Sequence, residues 1–275
     1  MIKVIISHDV DHLTVWEHKG DLIIPKFWVR NLIEISLGAI SLKEFLLRFK
    51  DFIFNKWNNI EELLEFNKVN NIPATFFFGM NQGLGLSYYP ESAQEYIKLV
   101  LNKGFDAGVH GIEYKDFEGI KKEFNTFKEI SKLSKFGIRM HYLRMNSETL
   151  EKLERAGYIF DSTLYKEKNP FKINNMWEFP LHMMDGYILQ DKKRWQSLKF
   201  QEVMDLTKKR IETLLDKGIK YLTILFHDIY FSEGFRTWKK WYIHTVEFLK
   251  SNDFTFISYR EAIDELENTK QGEKV

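Results

Sequence analysis

The stretch from Lys3 to His12, which reads KVIISHDVDH, decides how this chain folds. A short β-branched apolar run ends there in two carboxylates and two imidazoles, and four such side chains are not buried without partners. The run therefore predicts a buried strand of a parallel sheet, and the polar cluster predicts the point where that strand emerges. Asp9 and Asp11 point the same way in an extended chain, because they are two residues apart. Neighbouring carboxylates repel unless a cation or shared proton lies between them, so the pattern favours a metal site or an acid–base pair over a solvated strand end.

Composition limits the classes of function. The 275 residues are enough for a substantial core, and 40 Lys and Arg against 39 Asp and Glu give no reason to expect nucleic-acid binding. The absence of cysteine excludes disulfides and thiolate zinc sites, so any metal must be bound by His, carboxylate or water. No apolar stretch reaches the roughly 18–20 residues that a membrane span requires, and no secretory signal precedes the first strand. We therefore expect a soluble, cytoplasmic protein without a transmembrane segment.

The rest of the chain alternates between strand and helix patterns. The strongest of these patterns fall at residues 59–66, 74–78, 92–101, 105–109, 147–156 and 221–226. Seven or eight alternations without a linker indicate one α/β domain with a mainly parallel sheet, most simply a barrel. We expect this domain to cover residues 1–267 and a polar tail to cover residues 268–275.

Residues 13–57 interrupt the alternation, since about sixty residues separate the first two strands, more than one crossover helix needs. Apolar and basic residues alternate there, which predicts a helical insertion. Its basic residues could form an ordinary solvated face, or the insertion could be an amphipathic surface for a lipid-linked substrate or a membrane. We favour the solvated face, because Glu34, Glu44 and Asp51 dilute the basic charge.

Polar side chains follow six of the predicted strands at the same end, where parallel α/β folds collect their reactive groups. These side chains are Asp9, Asp11, His110, Glu113, Tyr114, Arg139, His141, Asp161, Ser162, His182, His227 and Asp228. Each one alone could be structural: His110 could bond a turn backbone, and His227 could be a core imidazole. Their common position predicts one functional site. His12 and His18 lie outside this pattern, and we interpret them as surface residues.

Five motifs, in this order, resemble those of the polysaccharide deacetylase family (the NodB-homology, carbohydrate esterase 4 type). The likeness is greatest to its branch from O-antigen and surface-polysaccharide biosynthesis clusters. The motifs are SHDVD at 7–11, GVHGIEY at 108–114, GIRMHY at 137–142, DST at 161–163 and LFHD at 225–228. The resemblance runs from the first strand to about Tyr259. It implies a distorted (β/α) barrel of seven to eight strands, with the helical insertion between strands one and two. The implied reaction is metal-dependent hydrolysis of an N-acyl group, acetyl or formyl, on an amino sugar.

The resemblance also implies roles for individual residues. They are Asp9 as general base, Asp11 and His110 as metal ligands, Arg139 as the residue that orients the base and keeps it charged, and His227 as general acid. The implied cofactor is a divalent metal, zinc before others. Tyr114 stands where the family usually has its second metal-binding histidine, while catalytic zinc normally has three protein ligands. Glu113 is the first candidate for the third ligand, and His8, His141 and Asp228 are the others.

The expected partner is a carbohydrate that is free, nucleotide-linked or lipid-linked, the last with peripheral membrane contact. Tyr142, Trp177 and Asp228 are the candidate substrate-binding residues. Two other functions fit the same residues. One is a non-catalytic carbohydrate-binding protein whose metal site is eroded at Tyr114, and the other is a hydrolase of some other C–N bond.

Overall fold

The computed structural model describes residues 2–190 and 193–272, and within them strands and helices alternate along the chain. The strands are β1 (Lys3–Val10), β2 (Thr75–Gly79), β3 (Asp106–Gly111), β4 (Ile138–Met140), β5 (Phe160–Asp161), β6 (Phe171–Ile173), β7 (Met176–Glu178), β8 (Met183–Met184), β9 (Tyr221–Leu225) and β10 (Thr255–Phe256). The α-helices are α1 (Ile23–Ser36), α2 (Leu42–Ile53), α3 (Ile60–Val69), α4 (Pro90–Asn102), α5 (Phe117–Ser131), α6 (Thr149–Ala156), α7 (Asp185–Gln190), α8 (Phe200–Asp216), α9 (Arg236–Ser251) and α10 (Tyr259–Gly272). Short 3₁₀ turns lie at Trp16–His18, His141–Leu143, Asp228–Tyr230 and Glu233–Phe235.

The sheet is a curled, open barrel in the order β6-β7-β5-β4-β3-β2-β1-β9-β8. Its strand pairs are parallel apart from β6 with β7, and β10 pairs with the first residues of β1. The central strand β1 lies between β9 and β2, as expected for a buried β-branched run. The expectation of a distorted (β/α) barrel is confirmed.

Alternation along β1 separates two environments. Ile5 packs with Phe77 and Tyr259 inside the barrel, whereas Val4 and Ile6 pack under the surrounding helices. Side chains two residues apart in a strand share a face, so Asp9, four residues after Ile5, also lies on the interior side. The carboxylates at the end of β1 therefore face the mouth of the barrel.

Helices α1 and α2 form the insertion between β1 and α3, and a buried ionic cluster fixes them to the body of the protein. The Arg48 guanidinium is fully buried and bonds the side chains of Asn31 and Glu34, and its Nε lies 2.6 Å from the carbonyl oxygen of Gly234. Arg30 bonds the other oxygen of Glu34 at 2.8 Å. The interpretation that Glu34 dilutes a basic surface is wrong, because this carboxylate is inside the protein between two arginines.

The last helix extends beyond the sequence-based boundary. Helix α10 continues to Gly272, so residues 268–272, expected as a polar tail, are helical. Residues 273–275 of that expected tail lie outside the described residues. No helix in the described part of the chain is both long and apolar enough to cross a membrane.

Candidate functional site

A cavity of about 970 Å³ opens at the carboxyl ends of β1, β3, β4 and β9. Asp9, Asp11, His110, His141 and His227 reach it from these strand ends, and helices α1 and α7 complete its walls. The structure thus brings the residues quoted from four separate motifs to one place.

The innermost group of the cavity consists of Asp11, His110 and His141. Asp11 Oδ1 lies 3.2 Å from His110 Nε2 and 3.3 Å from His141 Nδ1, and the two nitrogens are 3.0 Å apart. Ligand atoms about 2.0–2.1 Å from one tetrahedral zinc ion lie about 3.3 Å from each other, so the triangle has nearly the size that such an ion requires.

The hydrogen bonds of the outer ring nitrogens of His110 and His141 show which nitrogen of each ring carries a proton. His110 Nδ1 lies 3.0 Å from the carbonyl oxygen of Arg139, and His141 Nε2 lies 3.3 Å from that of Leu84. A carbonyl only accepts, so each outer nitrogen carries a proton, and the inner nitrogen can direct a lone pair towards Asp11 whenever its ring is neutral. Asp11 Oδ1 is buried and has no hydrogen-bond donor within the described residues. Three acceptor atoms therefore surround a point that a cation fits.

The pKa values describe the same need for positive charge. Burial alone would raise the pKa of Asp11, but His141, His110 and His227 hold it well below its ordinary value. Burial alone would lower the pKa of His110, but Asp9 and Asp11 raise it. The two carboxylates therefore favour positive charge within the cluster, which a proton on His110 or a cation would supply.

Asp9 is held beside the triangle by a buried arginine. Arg139 Nη1 donates to Asp9 Oδ1 at 2.9 Å, and the same guanidinium donates to Ser162 and Tyr259. These bonds fix the orientation of the carboxylate, whose Oδ2 lies 3.7 Å from His110 Nε2. A carboxylate placed in this way can accept a proton from a water molecule at the triangle.

His227 approaches from the opposite wall and has an acidic partner that the sequence did not reveal. Its Nδ1 lies 2.8 Å from Asp185 Oδ1, and its backbone N–H donates to Asp185 Oδ2. Burial alone would lower the pKa of His227, but Asp185, Asp11 and Asp9 raise it well above its ordinary value. The ring is therefore kept as a proton donor, with Nε2 3.7 Å from Asp11 Oδ2.

The other candidates for the third ligand lie elsewhere. Glu113 Oε1 accepts the backbone N–H groups of Lys115 and Asp116, so it caps the start of α5 and does not reach the triangle. Tyr114 contacts the guanidinium of Arg144 outside the cavity. His8 is buried on the helix side of β1, where it is bonded to the Phe226 carbonyl and to Asn67. Its position two residues after Ile6 places it on that side. His141 takes the third position in the triangle.

The three predicted substrate contacts differ in their placement. Tyr142 lines the cavity and is 66% exposed, and its ring lies 4.2 Å from that of His141. Trp177 is in the barrel interior, with its indole N–H bonded to Glu267, so it does not face the cavity. Asp228 is buried beneath the site, where it accepts the backbone N–H of Asn59 at the start of α3. The predictions for Trp177 and Asp228 are wrong, because both side chains point into packed protein.

The interpretation of His12 and His18 as surface residues is also wrong. His18 is buried, and its Nε2 lies 2.8 Å from His12 Nδ1, while its Nδ1 lies 2.8 Å from Asp21 Oδ2. Despite burial, Glu17 and Asp21 raise the pKa of His18, whereas burial lowers that of His12 to about 4. His18 is therefore the donor and His12 the acceptor, and His12 lines the cavity with His18 buried behind it.

Comparison with known proteins identifies the fold. No protein-family model matches the sequence, and no curated protein matches it. A putative polysaccharide deacetylase from Mycobacterium smegmatis superimposes with a TM-score of 0.65 at 14% identity, covering 98% of this chain and 91% of that one. The chain has the polysaccharide deacetylase fold. An allantoinase is similar as well, with a TM-score of 0.63 at 14% identity over 94% of this chain and 88% of the other.

The same fold also occurs without catalysis. A wild-type pseudoenzyme of the CE4 family from Bacillus anthracis gives a TM-score of 0.50 at 9% identity, covering 94% of this chain and 64% of that one. The fold therefore leaves the activity undecided, and the side chains in the cavity must carry the functional argument.

Proposed function

We propose that this protein is a metal-dependent hydrolase that removes an acetyl or formyl group from the nitrogen of an amino sugar. The observation that supports this proposal is the triangle of Asp11, His110 and His141, flanked on one side by Asp9 and on the other by His227. His141 supplies the third metal ligand that the tyrosine at position 114 does not provide. This third ligand favours an enzyme over a carbohydrate-binding protein with an eroded metal site.

Each catalytic side chain has one task in this proposal. A divalent cation, zinc first, bound by these three residues supplies Lewis-acid polarisation of the amide carbonyl and increases the acidity of water. Asp9 takes a proton from the attacking water, and Arg139 holds that carboxylate in position. His227 gives its proton to the amide nitrogen as the C–N bond breaks, so a carboxylic acid and a free amine leave the site.

The walls of the cavity suit a sugar. Tyr142 and Tyr187 are more than half exposed and present their rings at the mouth. Tyr142 has a positive φ of 55°, a conformation that L side chains rarely adopt and that recurs at active sites and ligand clamps. The resemblance to O-antigen and surface-polysaccharide enzymes suggests that the sugar is a unit of such a polymer, attached to a nucleotide or a lipid.

The test is amine release from a panel of N-acetylated and N-formylated amino sugars, with added Zn²⁺, Co²⁺ or Mn²⁺. Allantoin is tested in parallel for opening of its ring, which forms a carboxylate and releases no amine, because an allantoinase shares the fold. We expect release from at least one amino sugar, reduced at least about 10²-fold in Asp9→Asn, the scale of general-base catalysis. Asp264→Asn, an exposed carboxylate on α10, is the matched control. Metal-loaded protein that releases amine from no amino sugar would contradict the proposal.

A further inference from the structure

The helical insertion exposes an unusual amount of apolar surface. Ten of the sixteen large apolar or aromatic side chains that are exposed in the described part of the chain lie between residues 16 and 54. These ten are Trp16, Leu22, Val29, Leu32, Leu37, Leu42, Leu46, Phe49, Ile53 and Phe54. Scattered apolar side chains are normal on a surface, but such a concentration in one segment indicates an interaction site.

Helix α2 carries the most regular part of this surface. Leu42, Leu46, Phe49 and Ile53 are spaced by four, three and four residues, so they form one stripe along the helix. Their exposed fractions are 64%, 54%, 45% and 54%. The opposite side of α2 packs against the rest of the protein, since Arg48 is buried there in the ionic cluster with Glu34. The stripe is therefore additional to the face that holds α2 on the protein.

The charges that accompany the stripe are mainly basic. Lys43 and Lys50 are exposed on α2 beside the apolar residues. Two of the three acidic residues of α1 and α2 are occupied elsewhere: Glu34 is buried between arginines, and Glu44 closes the capping box with Ser41. Burial raises the pKa of Asp51, the remaining carboxylate of α2. The surface thus combines apolar side chains with lysines, which suits anionic lipid headgroups.

The apolar surface continues to the mouth of the cavity. The ring of Phe49 lies 5.7 Å from that of Trp28, which joins α2 to α1. On α1 and just before it, Val29 and Leu22 are 58% and 65% exposed and also line the cavity. Trp16 is 48% exposed with Lys19 over its ring, a pairing that suits the level of the headgroups.

We propose that helices α1 and α2 form a membrane-binding surface that lies in the interface of a bilayer containing anionic lipid, next to the mouth of the cavity. A helix with an apolar stripe and flanking lysines binds in this way, with its apolar side chains at the boundary between headgroups and acyl chains. The membrane contact stands independently of catalysis. Together with the proposed function, on which this second step rests, it implies that the amino sugar is attached to a membrane lipid.

The test is sedimentation of the full chain with vesicles of phosphatidylcholine alone, or of two parts phosphatidylcholine to one part phosphatidylglycerol. We expect binding to the anionic vesicles that weakens with salt. The double variant Leu46→Ser, Phe49→Ser should bind at least about tenfold more weakly, because it removes two inserted side chains. The double variant Lys43→Gln, Lys50→Gln should lose about fivefold for each lysine.

A matched control removes the same chemistry from another surface. Val69→Ser with Leu206→Ser replaces two side chains that are 70% and 44% exposed on α3 and α8, and its binding should equal that of the wild type. Circular dichroism and light scattering of every variant check the fold and the oligomeric state.

Three results would overturn the proposal. The first is no binding of the wild type to anionic vesicles, and the second is equal binding by the wild type and the Leu46→Ser, Phe49→Ser variant. The third is a wild-type dimer that this variant converts to a monomer without loss of vesicle binding, which would make the stripe an interface between two copies. Because no substrate is present, these results are independent of whether the protein hydrolyses an amide.

Discussion

Replacement of Asp185 by Asn tests how His227 keeps its proton. The variant preserves the size of the side chain and a hydrogen-bonding oxygen 2.8 Å from the ring, but removes the negative charge. Two opposite charges about 4 Å apart interact by roughly 4 kcal/mol at an effective dielectric constant of 20. Loss of even half of this energy reduces the proton affinity of His227 by about 30-fold, since 1.36 kcal/mol corresponds to a factor of ten.

The sign of the effect follows from the role of His227. Asp185 raises the pKa of His227, and an acid catalyst must be protonated, so activity falls as the pH rises through that pKa. We expect Asp185→Asn to move the alkaline limb of the kcat/KM profile to lower pH and leave metal content unchanged. The assay is amine release from pH 5 to pH 10, with Asp264→Asn as control. An alkaline limb at the wild-type position would refute this assignment of the acid.

Three further changes test other parts of the structure. Arg139→Met should lower kcat at least about 10²-fold with little change in metal content, because Asp9 loses its orienting partner; unchanged kcat would contradict this. Arg48→Met should lower the unfolding free energy in urea by about 3–5 kcal/mol, since it leaves Glu34 buried with one partner fewer, whereas Lys43→Met should have little effect. Burial raises the pKa of Glu123 to about 7, so ionisation of this carboxyl destabilises the fold as the pH rises from about 4.5 through 7. The stability of Glu123→Gln should therefore rise relative to that of the wild type over this pH interval. Urea unfolding at each pH measures the difference.

The sequence was sufficient for the fold and for most of the inner site. The first strand, with its alternation, determines that Asp9 faces the barrel mouth while His8 faces the helices. Because parallel strands end together, the positions of His110, Arg139 and His227 at the ends of their own strands are enough to predict that they meet around Asp9 and Asp11.

Residues after short strands were harder to place. β7 has three residues and β8 two, so neither alternation nor length shows that Trp177 points inwards or that Asp185 reaches His227. The choice of His141 over Glu113 depends on a tight turn in which Tyr142 and Leu143 have positive φ, and nothing in these residue types predicts that turn. The sequence favoured a solvated face for the insertion over a membrane surface for a similar reason, because the burial of Glu34 depends on tertiary contacts that the sequence does not show.

The most direct test of the account is the metal stoichiometry of the wild type and two variants, measured by elemental analysis and by calorimetric titration with Zn²⁺. If Asp11, His110 and His141 bind one cation, the wild type and Glu113→Gln should each bind one equivalent, and His141→Gln should bind far more weakly, because a three-ligand site has no ligand to spare. A wild type that binds no divalent metal, or a His141→Gln variant that binds it as tightly as the wild type, would contradict the account.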